Sequence, residues 1–421
     1  MPGAIEEFRT WVDQNWSADL AVREWWARLA ASGWGFPNFP AEWMGRGLAG
    51  DEATLIRDEI LARNIVGPPG GIGQVMGAPL VLQFGTDDQK RRFLPGLLTG
   101  EEAWCQFFSE PGSGSDLASL QTRAERDGDE WVVNGQKVWT GGALESDKGL
   151  LLARTDSSLP KHRGISYFVI DIDQPGIEIR PIKQMNGQAH FNEVFFTDAR
   201  VPDANRLSDV NNGWAVAMAT LAFERSGFAA GHGYGRAIAP GRKGGNLDKV
   251  INDLLSTDDD EHDENALAKF PMGDAHVLIE LAREFGRNDD PNIRQKLVKL
   301  YCMAECNHLT ALRAKAAVAA GRTPGSESSL GYIAGVNLAR ASRDLAFEIA
   351  GGYGTLIDSD SPRDGAVVMM ALSTLSHGIQ GGTEQIQHNI VGERVLGLPK
   401  EPQVDRDLPF KDLRVGTQGR D

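Results

Sequence analysis

A serine- and glycine-rich stretch, Trp104–Ala118, has the residue types of a ligand-binding loop. It reads Trp-Cys-Gln-Phe-Phe-Ser-Glu-Pro-Gly-Ser-Gly-Ser-Asp-Leu-Ala, with glycines at positions 112 and 114. Glycine permits backbone angles that other residues avoid, and the serines at 109, 113 and 115 supply hydroxyls. Successive N–H groups in such a turn form a concave surface that receives an anion. Taken alone, the stretch also fits a solvent-exposed surface loop.

Three further segments extend the pattern. They are Gly135–Gly141 (GQKVWTG), Phe223-Glu-Arg225 and Gln380–Gln387 (QGGTEQIQ). In this order and spacing, the four segments together resemble the acyl-CoA dehydrogenase family. The resemblance covers nearly the whole chain and includes Gln188–Phe195, Val201-Pro202 and Gly392–Pro399.

The resemblance implies a flavoenzyme that holds FAD and oxidises an acyl-CoA thioester to the 2,3-enoyl thioester. In the family a carboxylate removes the α-proton, the flavin accepts a hydride from the β-carbon, and an electron-transferring flavoprotein takes up the electrons. The α-proton is weakly acidic, so hydrogen bonds to the thioester carbonyl must stabilise the developing enolate. By resemblance, one of these donors is the backbone N–H of Gly381.

The catalytic base is predicted at an uncommon position. Most family members have Glu where this chain has Gly381, and glycine cannot accept a proton. Members resembling the isovaleryl-CoA and long-chain enzymes instead use a Glu that precedes an Arg, and Glu224-Arg225 matches that pair. We therefore predict Glu224 as the general base, with a pKa raised by a desolvated pocket. The alternatives are a purely structural ion pair at Glu224, or Glu384 as the base.

The remaining site residues are assigned position by position from the resemblance. For the flavin they are Phe108, Ser109, Trp139, Thr140, Gly141, Thr383 and Gln385; for the acyl-CoA they are Ser115 and Gly382, with Glu224 and Arg225. Gly141 stands where the family usually has Thr or Ser, which removes one hydrogen bond near flavin N5. Trp139 also fits simple cross-strand packing.

Contacts that the family's flavin receives from a neighbouring subunit depart from the usual pattern. The Arg283-Glu-Phe-Gly286 segment is one residue shorter than usual, and Glu348 replaces a Gln before Gly351-Gly352. A carboxylate beside a pyrophosphate is unfavourable unless its charge is compensated. We therefore expect a homo- or hetero-oligomer, either an active dehydrogenase or a partner subunit whose own site is impaired. An acyl-CoA oxidase is a weaker third reading.

The substrate is expected to be branched, steroid-derived or otherwise bulky. Gly381 leaves room near the α-carbon, and Gly70, Gly71, Gly73 and Met76 are candidates to line the acyl tunnel.

The element pattern predicts an α+β chain: an N-terminal helical domain (1–100), a middle antiparallel β domain (101–205) and a C-terminal helical bundle (206–421). Asn134-Gly135 between alternating apolar residues predicts a hairpin turn. Further strands are predicted at 150–153, 165–170, 177–181 and 193–196, and later helices at 213–230, 291–320, 328–350 and 383–396. The crevice where the three domains meet is the expected ligand site.

Composition sets the remaining expectations. The 421 residues have 43 Lys and Arg against 58 Asp and Glu, a net charge of −15, which argues against a nucleic-acid partner. Without a secretion signal or a long apolar run, the chain is expected to be cytoplasmic with no membrane span. Cys302 and Cys306 are expected to pack in a core rather than bind metal, and the acidic run 258–264 to be a solvated loop.

Overall fold

The computed structural model describes residues 3–230, 238–256, 274–319, 326, 328–357, 361–403 and 405–413. The described residues fall into two compact units. The first unit contains Met1–Gln184, Gln188–Asp258 and Gln403–Asp421; the second contains Met185–Gly187 and Asp259–Pro402. The acidic run 258–264 lies outside the described residues.

The first unit combines a helical layer with a sheet. Its helices are α1 (Ala4–Asn15), α2 (Val22–Ser32), α3 (Gly50–Ala62), α4 (Ala78–Phe84), α5 (Asp87–Leu98), α6 (Gly213–Ala230) and α7 (Ile251–Ser256). Thr86 begins α5 with a capping box, in which its hydroxyl accepts from Gln89 N and the Gln89 side chain accepts from Thr86 N. A π-helical turn, Gly73–Gly77, runs directly into α4.

The sheet is mostly antiparallel, as predicted. Its strands are β1 (Trp104–Phe107), β2 (Arg123–Asp127), β3 (Glu130–Gly141), β4 (Lys148–Arg154), β5 (Ile165–Asp171), β6 (Ile177–Ile182), β7 (Phe191–Pro202) and β8 (Arg206–Leu207). The order is β6-β7-β3-β2-β4-β5-β8, with β1 parallel to β4 on one side of that path. The predicted strands at 150–153, 165–170, 177–181 and 193–196 all fall within these bounds.

The predicted hairpin turn at Asn134-Gly135 is wrong. Strand β3 continues through both residues and pairs with β2 and β7, and a bulge lies between Val133 and Gly135. Gly135 has φ +152°, and a Cβ there would lie 2.6 Å from the Cα of Thr122. The glycine is needed for the bulge and the close approach of a neighbouring chain segment, while the β2–β3 turn falls at Gly128 instead.

The second unit is a helical bundle. Its helices are α8 (Ala275–Glu284), α9 (Pro291–Ala319), α10 (Ser328–Ala350), α11 (Ala366–His377) and α12 (Glu384–Ile390), followed by a π-helical turn at Val391–Val395. A core of leucine, isoleucine, alanine and methionine side chains joins α8, α9, α10 and α11. Among the described residues, no helix is long and apolar enough to cross a membrane.

The expectation that Cys302 and Cys306 pack in a core is wrong for the single chain. Both thiols lie on an exposed part of α9. The buried face of this helix is formed instead by Ile293, Leu297 and Leu300. An apolar helix can present apolar residues on more than one face, and composition alone does not decide which face a core covers.

Candidate active site

The loop between β1 and β2 is closed by its own backbone. Glu110 N donates to Ser113 O at 2.9 Å, and Ser113 N donates to Glu110 O at 3.0 Å. The Ser113 hydroxyl donates to Asp116 O at 2.9 Å, so this hydroxyl is used within the loop. Ser115 is exposed and Ser109 is half-buried. Neither Gly112 nor Gly114 has a positive φ, so the loop does not use the conformational freedom that these glycines permit.

A buried ion pair connects this loop to β3. The fully buried Lys137 Nζ donates to Glu110 Oε1 and to Phe108 O, both at 2.9 Å. The Glu110 carboxylate also accepts from Gln121 N at 2.7 Å and Thr122 N at 2.9 Å. Burial alone would raise the Glu110 pKa, but the Lys137 charge and these hydrogen bonds lower it overall. The pair therefore fixes the backbone of Phe108 relative to β3, the strand that also carries Trp139.

Arg154 holds the far side of the same loop. Its guanidinium donates to Ala118 O at 2.6 Å and to Leu120 O at 3.1 Å, and it stacks 3.5 Å from the ring centroid of Phe410. Burial lowers the pKa of Arg154 to about 10. The sequence analysis predicted neither the Glu110–Lys137 pair nor the role of Arg154. For the pair, the sequence did contain a signal, because Glu110 and Lys137 each lie inside a segment that carries the family resemblance.

The end of β3 presents an aromatic ring to solvent. Trp139 is 59% exposed and has φ +61°, an uncommon backbone conformation for a bulky side chain. Its ring meets the edge of Phe191, with centroids 6.1 Å apart. Phe108, in contrast, is buried against Tyr167 with centroids 5.9 Å apart. The sequence-predicted flavin residues are thus split between an exposed ring and a buried one.

Thr140 and Gly141 complete this strand end. The Thr140 side chain is buried, and its Oγ1 has no hydrogen-bond partner among the described residues. Its carbonyl accepts from Asn192 Nδ2 at 3.0 Å. The hydroxyl of Thr140, and not its carbonyl, is therefore the group whose hydrogen-bonding capacity is unused among the described residues. Next to it, a Cβ on Gly141 would lie 3.1 Å from His190 Nε2.

Glu224 lies on α6, which packs against β5 and the π-helical turn. Its side chain is half-buried. Four residues earlier on the same helix, Thr220 Oγ1 lies 3.2 Å from Tyr167 Oη and donates to Val216 O at 2.9 Å. Burial raises the pKa of Tyr167, and the nearby Glu224 charge raises it further. The side chain of Arg225 lies outside the described residues.

The glycine-rich segment of the second unit precedes α12. Gly381 has φ +65° and Gly382 has φ +90°. Buried Gln387 donates through Nε2 to Gly381 O at 3.2 Å, and the Tyr332 hydroxyl lies 2.7 Å from Gln380 O. Two adjacent left-handed glycines expose their peptide groups in a way that residues with side chains would avoid.

The side chains after these glycines have distinct environments. Thr383 Oγ1 accepts from Ile386 N at 3.4 Å as the helix cap, and Gln385 is exposed. Glu384 is paired with Arg340 at 2.7 Å. The Glu384 carboxylate is therefore engaged by a cation of its own unit, which counts against Glu384 as a base.

The residues that differ from the family pattern at the predicted subunit-contact positions also lie in this unit. Glu348 forms an ion pair with Lys296, so its carboxylate is compensated within its own chain. Arg283 is exposed, and Gly352 is exposed with open space around it. The structure therefore supplies the compensating charge that the substitution at 348 requires.

Two separate features have the chemistry to contact a flavin, one in each unit. An exposed Trp139 held at positive φ costs on the order of 1–3 kcal/mol in backbone strain, and such strain is typical of ligand contacts. A flat ring system would cover that indole. The paired glycines at 381 and 382 present backbone N–H groups of the kind that bind carbonyl or phosphate oxygens.

The helical and antiparallel β domains match those of one family of oxidoreductases, and the chain belongs to the acyl-CoA dehydrogenase family. It matches the N-terminal domain of that family over residues 4–101, the middle domain over 105–199 and the C-terminal domain over 267–396. Members of the family are oxidoreductases and are generally flavoproteins with FAD.

Individual relatives match along nearly their full length. Acyl-CoA dehydrogenase IpdE1 of Mycobacterium tuberculosis is 35% identical over 94% of this chain and 98% of its own. The solved ChsE4-ChsE5 complex from Mycobacterium tuberculosis is 27% identical with a TM-score of 0.67, covering 95% of this chain and 99% of the other. The Tcur3481-Tcur3483 steroid ACAD is 25% identical with a TM-score of 0.69, again over 95% and 99%.

Proposed function

We propose that this chain is an FAD-dependent acyl-CoA dehydrogenase that introduces a 2,3-double bond into a bulky acyl-CoA thioester. Bound FAD would supply the acceptor for the β-hydride. The chain would supply the base, the donor to the thioester carbonyl, and the contacts that orient the acyl group. The electrons would then pass to an electron-transferring flavoprotein.

The surroundings of Glu224 are the observation that supports this proposal most directly. Glu224 is half-buried on α6, one turn after Thr220, whose hydroxyl lies 3.2 Å from the hydroxyl of the buried Tyr167. A general base must lie within hydrogen-bond reach of the proton that it abstracts, and by resemblance Glu224 stands at the position of the base. Gly381 has no side chain to accept that proton, and the competitor Glu384 is paired with Arg340. Glu224 is therefore our choice of base, and the Gly381 N–H our choice of thioester donor.

A bulky substrate is proposed from two sources. Relatives include a structure named as a steroid ACAD, and Gly381 removes a side chain where most family members have one. The expected tunnel role of Gly73 is not supported, because a Cβ there would lie 2.7 Å from Leu97 Cδ2 and 3.2 Å from Trp104 Cβ. Gly73 instead allows the π-helical turn to pack against Trp104. Gly70 has open space around it and remains a candidate.

The test is flavin reduction by a panel of acyl-CoAs. The FAD-loaded protein should bleach with ring-bearing or branched thioesters faster than with straight medium chains. Glu224→Gln should retain FAD absorbance but lose turnover by about 10²- to 10⁴-fold, the usual contribution of a general base. Glu384→Gln is the matched control and should keep most of its activity. Loss of turnover in Glu384→Gln but not in Glu224→Gln would refute the assignment, and turnover of straight medium chains alone would refute the substrate class.

A second candidate is a partner subunit within a hetero-oligomeric dehydrogenase. Gly141 in place of a hydroxyl residue and Glu348 in place of Gln favour it, and ChsE4-ChsE5 shows that a similar fold occurs in a complex of two named proteins. This candidate differs from the first in one observable. The purified single chain would take up no stoichiometric FAD.

A further inference from the structure

A histidine from another segment occupies the space beside Gly141, near Trp139 at the end of β3. Gly141 lacks the hydroxyl that related enzymes usually have at this position. A Cβ built on Gly141 would lie 3.1 Å from His190 Nε2 and 3.6 Å from Phe191 Cε1. The first distance is tighter than an ordinary van der Waals contact. The imidazole therefore occupies the space beside Gly141 into which a side chain would project.

The backbone of His190 is fixed to the same strand. Its carbonyl accepts from Gly142 N at 3.1 Å and from Asn192 Nδ2 at 3.3 Å. The same Asn192 amide donates to Thr140 O at 3.0 Å, so one side chain joins the two segments. The imidazole meets the edge of the Phe191 ring with centroids 5.2 Å apart, and Phe191 in turn meets Trp139. His190 is nevertheless exposed, so its ring nitrogens are accessible to a ligand.

We propose that His190 is a flavin-contacting residue that replaces the hydroxyl missing at Gly141. An imidazole nitrogen can donate or accept a hydrogen bond, as a hydroxyl can, and the histidine reaches the space beside Gly141 from the residue before β7. The two residues are linked sterically, because a side chain at 141 and the imidazole at 190 compete for one space. This inference rests on the proposed function, since it assigns a role within the same flavin site.

The steric link gives a test that does not depend on turnover. The FAD-loaded protein is compared with His190→Ala, His190→Gln, Gly141→Thr and the double variant His190→Ala/Gly141→Thr. Each is measured for its FAD dissociation constant, its visible flavin spectrum and its flavin reduction potential. Folding is checked by far-ultraviolet circular dichroism and thermal unfolding. His276→Ala, an exposed histidine on α8, is the matched control and should leave all of these unchanged.

The effect of a threonine at position 141 on FAD binding should depend on whether His190 is present. His190→Ala should weaken FAD binding by roughly 3- to 10-fold, the effect of one hydrogen bond, and shift the flavin spectrum; His190→Gln should recover part of both. Gly141→Thr alone should also weaken binding, because its Cβ crowds His190. In the His190→Ala background, the same threonine should restore binding.

Two results would overturn the inference, and they are distinguishable. If the unmodified protein takes up no FAD, the proposed function fails and this assignment fails with it. If the unmodified protein takes up FAD, the role of His190 can fail by itself. It fails if His190→Ala has the same FAD affinity, flavin spectrum and reduction potential as the unmodified protein, or if the threonine at 141 has the same effect with and without His190.

Discussion

At the scale of single residues, Glu348 shows how a substitution acquires meaning from its neighbour. The sequence has a carboxylate at a position where the resemblance predicts a Gln in a segment that contacts the flavin of a neighbouring subunit. The structure adds Lys296, whose ammonium pairs with that carboxylate on the surface of α9 and α10. The two charges cancel locally, so the site need not repel a pyrophosphate. The net charge of the Glu348–Lys296 pair, and not the identity of residue 348 alone, would then determine whether a pyrophosphate is repelled.

This pairing predicts opposite effects for two neutral substitutions. Glu348→Gln would leave the Lys296 ammonium without its partner and should tighten FAD retention by roughly 2- to 5-fold in the assembled protein, a modest gain because both groups are exposed. Lys296→Gln would expose the carboxylate and should weaken retention by a similar factor. The FAD dissociation constant at low and high salt measures both, and the difference should shrink as salt is added. Equal affinities at low salt would show that residue 348 does not face the phosphates.

At the scale of elements, the buried Lys137–Glu110 pair joins β3 to the serine-rich loop. Removing one partner leaves an uncompensated charge in the core, so Glu110→Gln and Lys137→Met should each reduce the free energy of unfolding by about 3–5 kcal/mol. The double variant should lose less than the sum of the two. Chemical denaturation of all four proteins gives this coupling, and strict additivity would contradict a direct interaction.

The same pair predicts a pH dependence on the acid side. The pKa of Glu110 is lower in the folded protein than in the unfolded chain. Its stabilising contribution is therefore complete above the unfolded pKa and is lost as pH falls toward the folded pKa. The melting temperature should fall more steeply in acid for the unmodified protein than for Glu110→Gln, which has no carboxyl to protonate.

The elements also show what sequence could and could not predict. Helix α10 was predicted with its observed bounds, because Ser328 begins it and paired glycines at 351 and 352 end its pattern. The hairpin prediction at Asn134-Gly135 failed because this dipeptide fits a β-bulge as well as a turn. Only the close approach of Thr122 to Gly135 distinguishes the bulge from the turn. The candidate site residues were predicted from short motifs. The Lys137–Glu110 pair and His190 were not, since their partners lie 27 and 49 positions away in the chain.

At the scale of the whole molecule, α9 has an apolar face that its own unit leaves exposed. Val298 and Leu309 are 58% and 59% exposed, and Tyr301 and Leu312 are 46% and 45% exposed. Cys302 lies between them at helical spacing, so all five share one side of the helix. A contiguous exposed apolar stripe is typical of a protein–protein interface. We expect a second copy of this chain to cover it, consistent with the predicted oligomer.

Leu309→Asp tests this expectation, because it places a charge in the centre of the stripe. The unmodified chain should be an oligomer by light scattering, and Leu309→Asp should yield a smaller species with weaker FAD retention. Thiol labelling gives a second readout: Cys302 and Cys306 should be protected in the oligomer and reactive in the variant. Cys105 does not interfere with the labelling, since burial raises its pKa to about 12.

Lys299→Asp is the control for this experiment and should remain assembled, because residue 299 is next to Val298 but turned about 100° around the helix. A monomeric unmodified chain with both α9 thiols reactive would contradict self-association, and restored protection on adding a related dehydrogenase chain would favour the two-chain alternative.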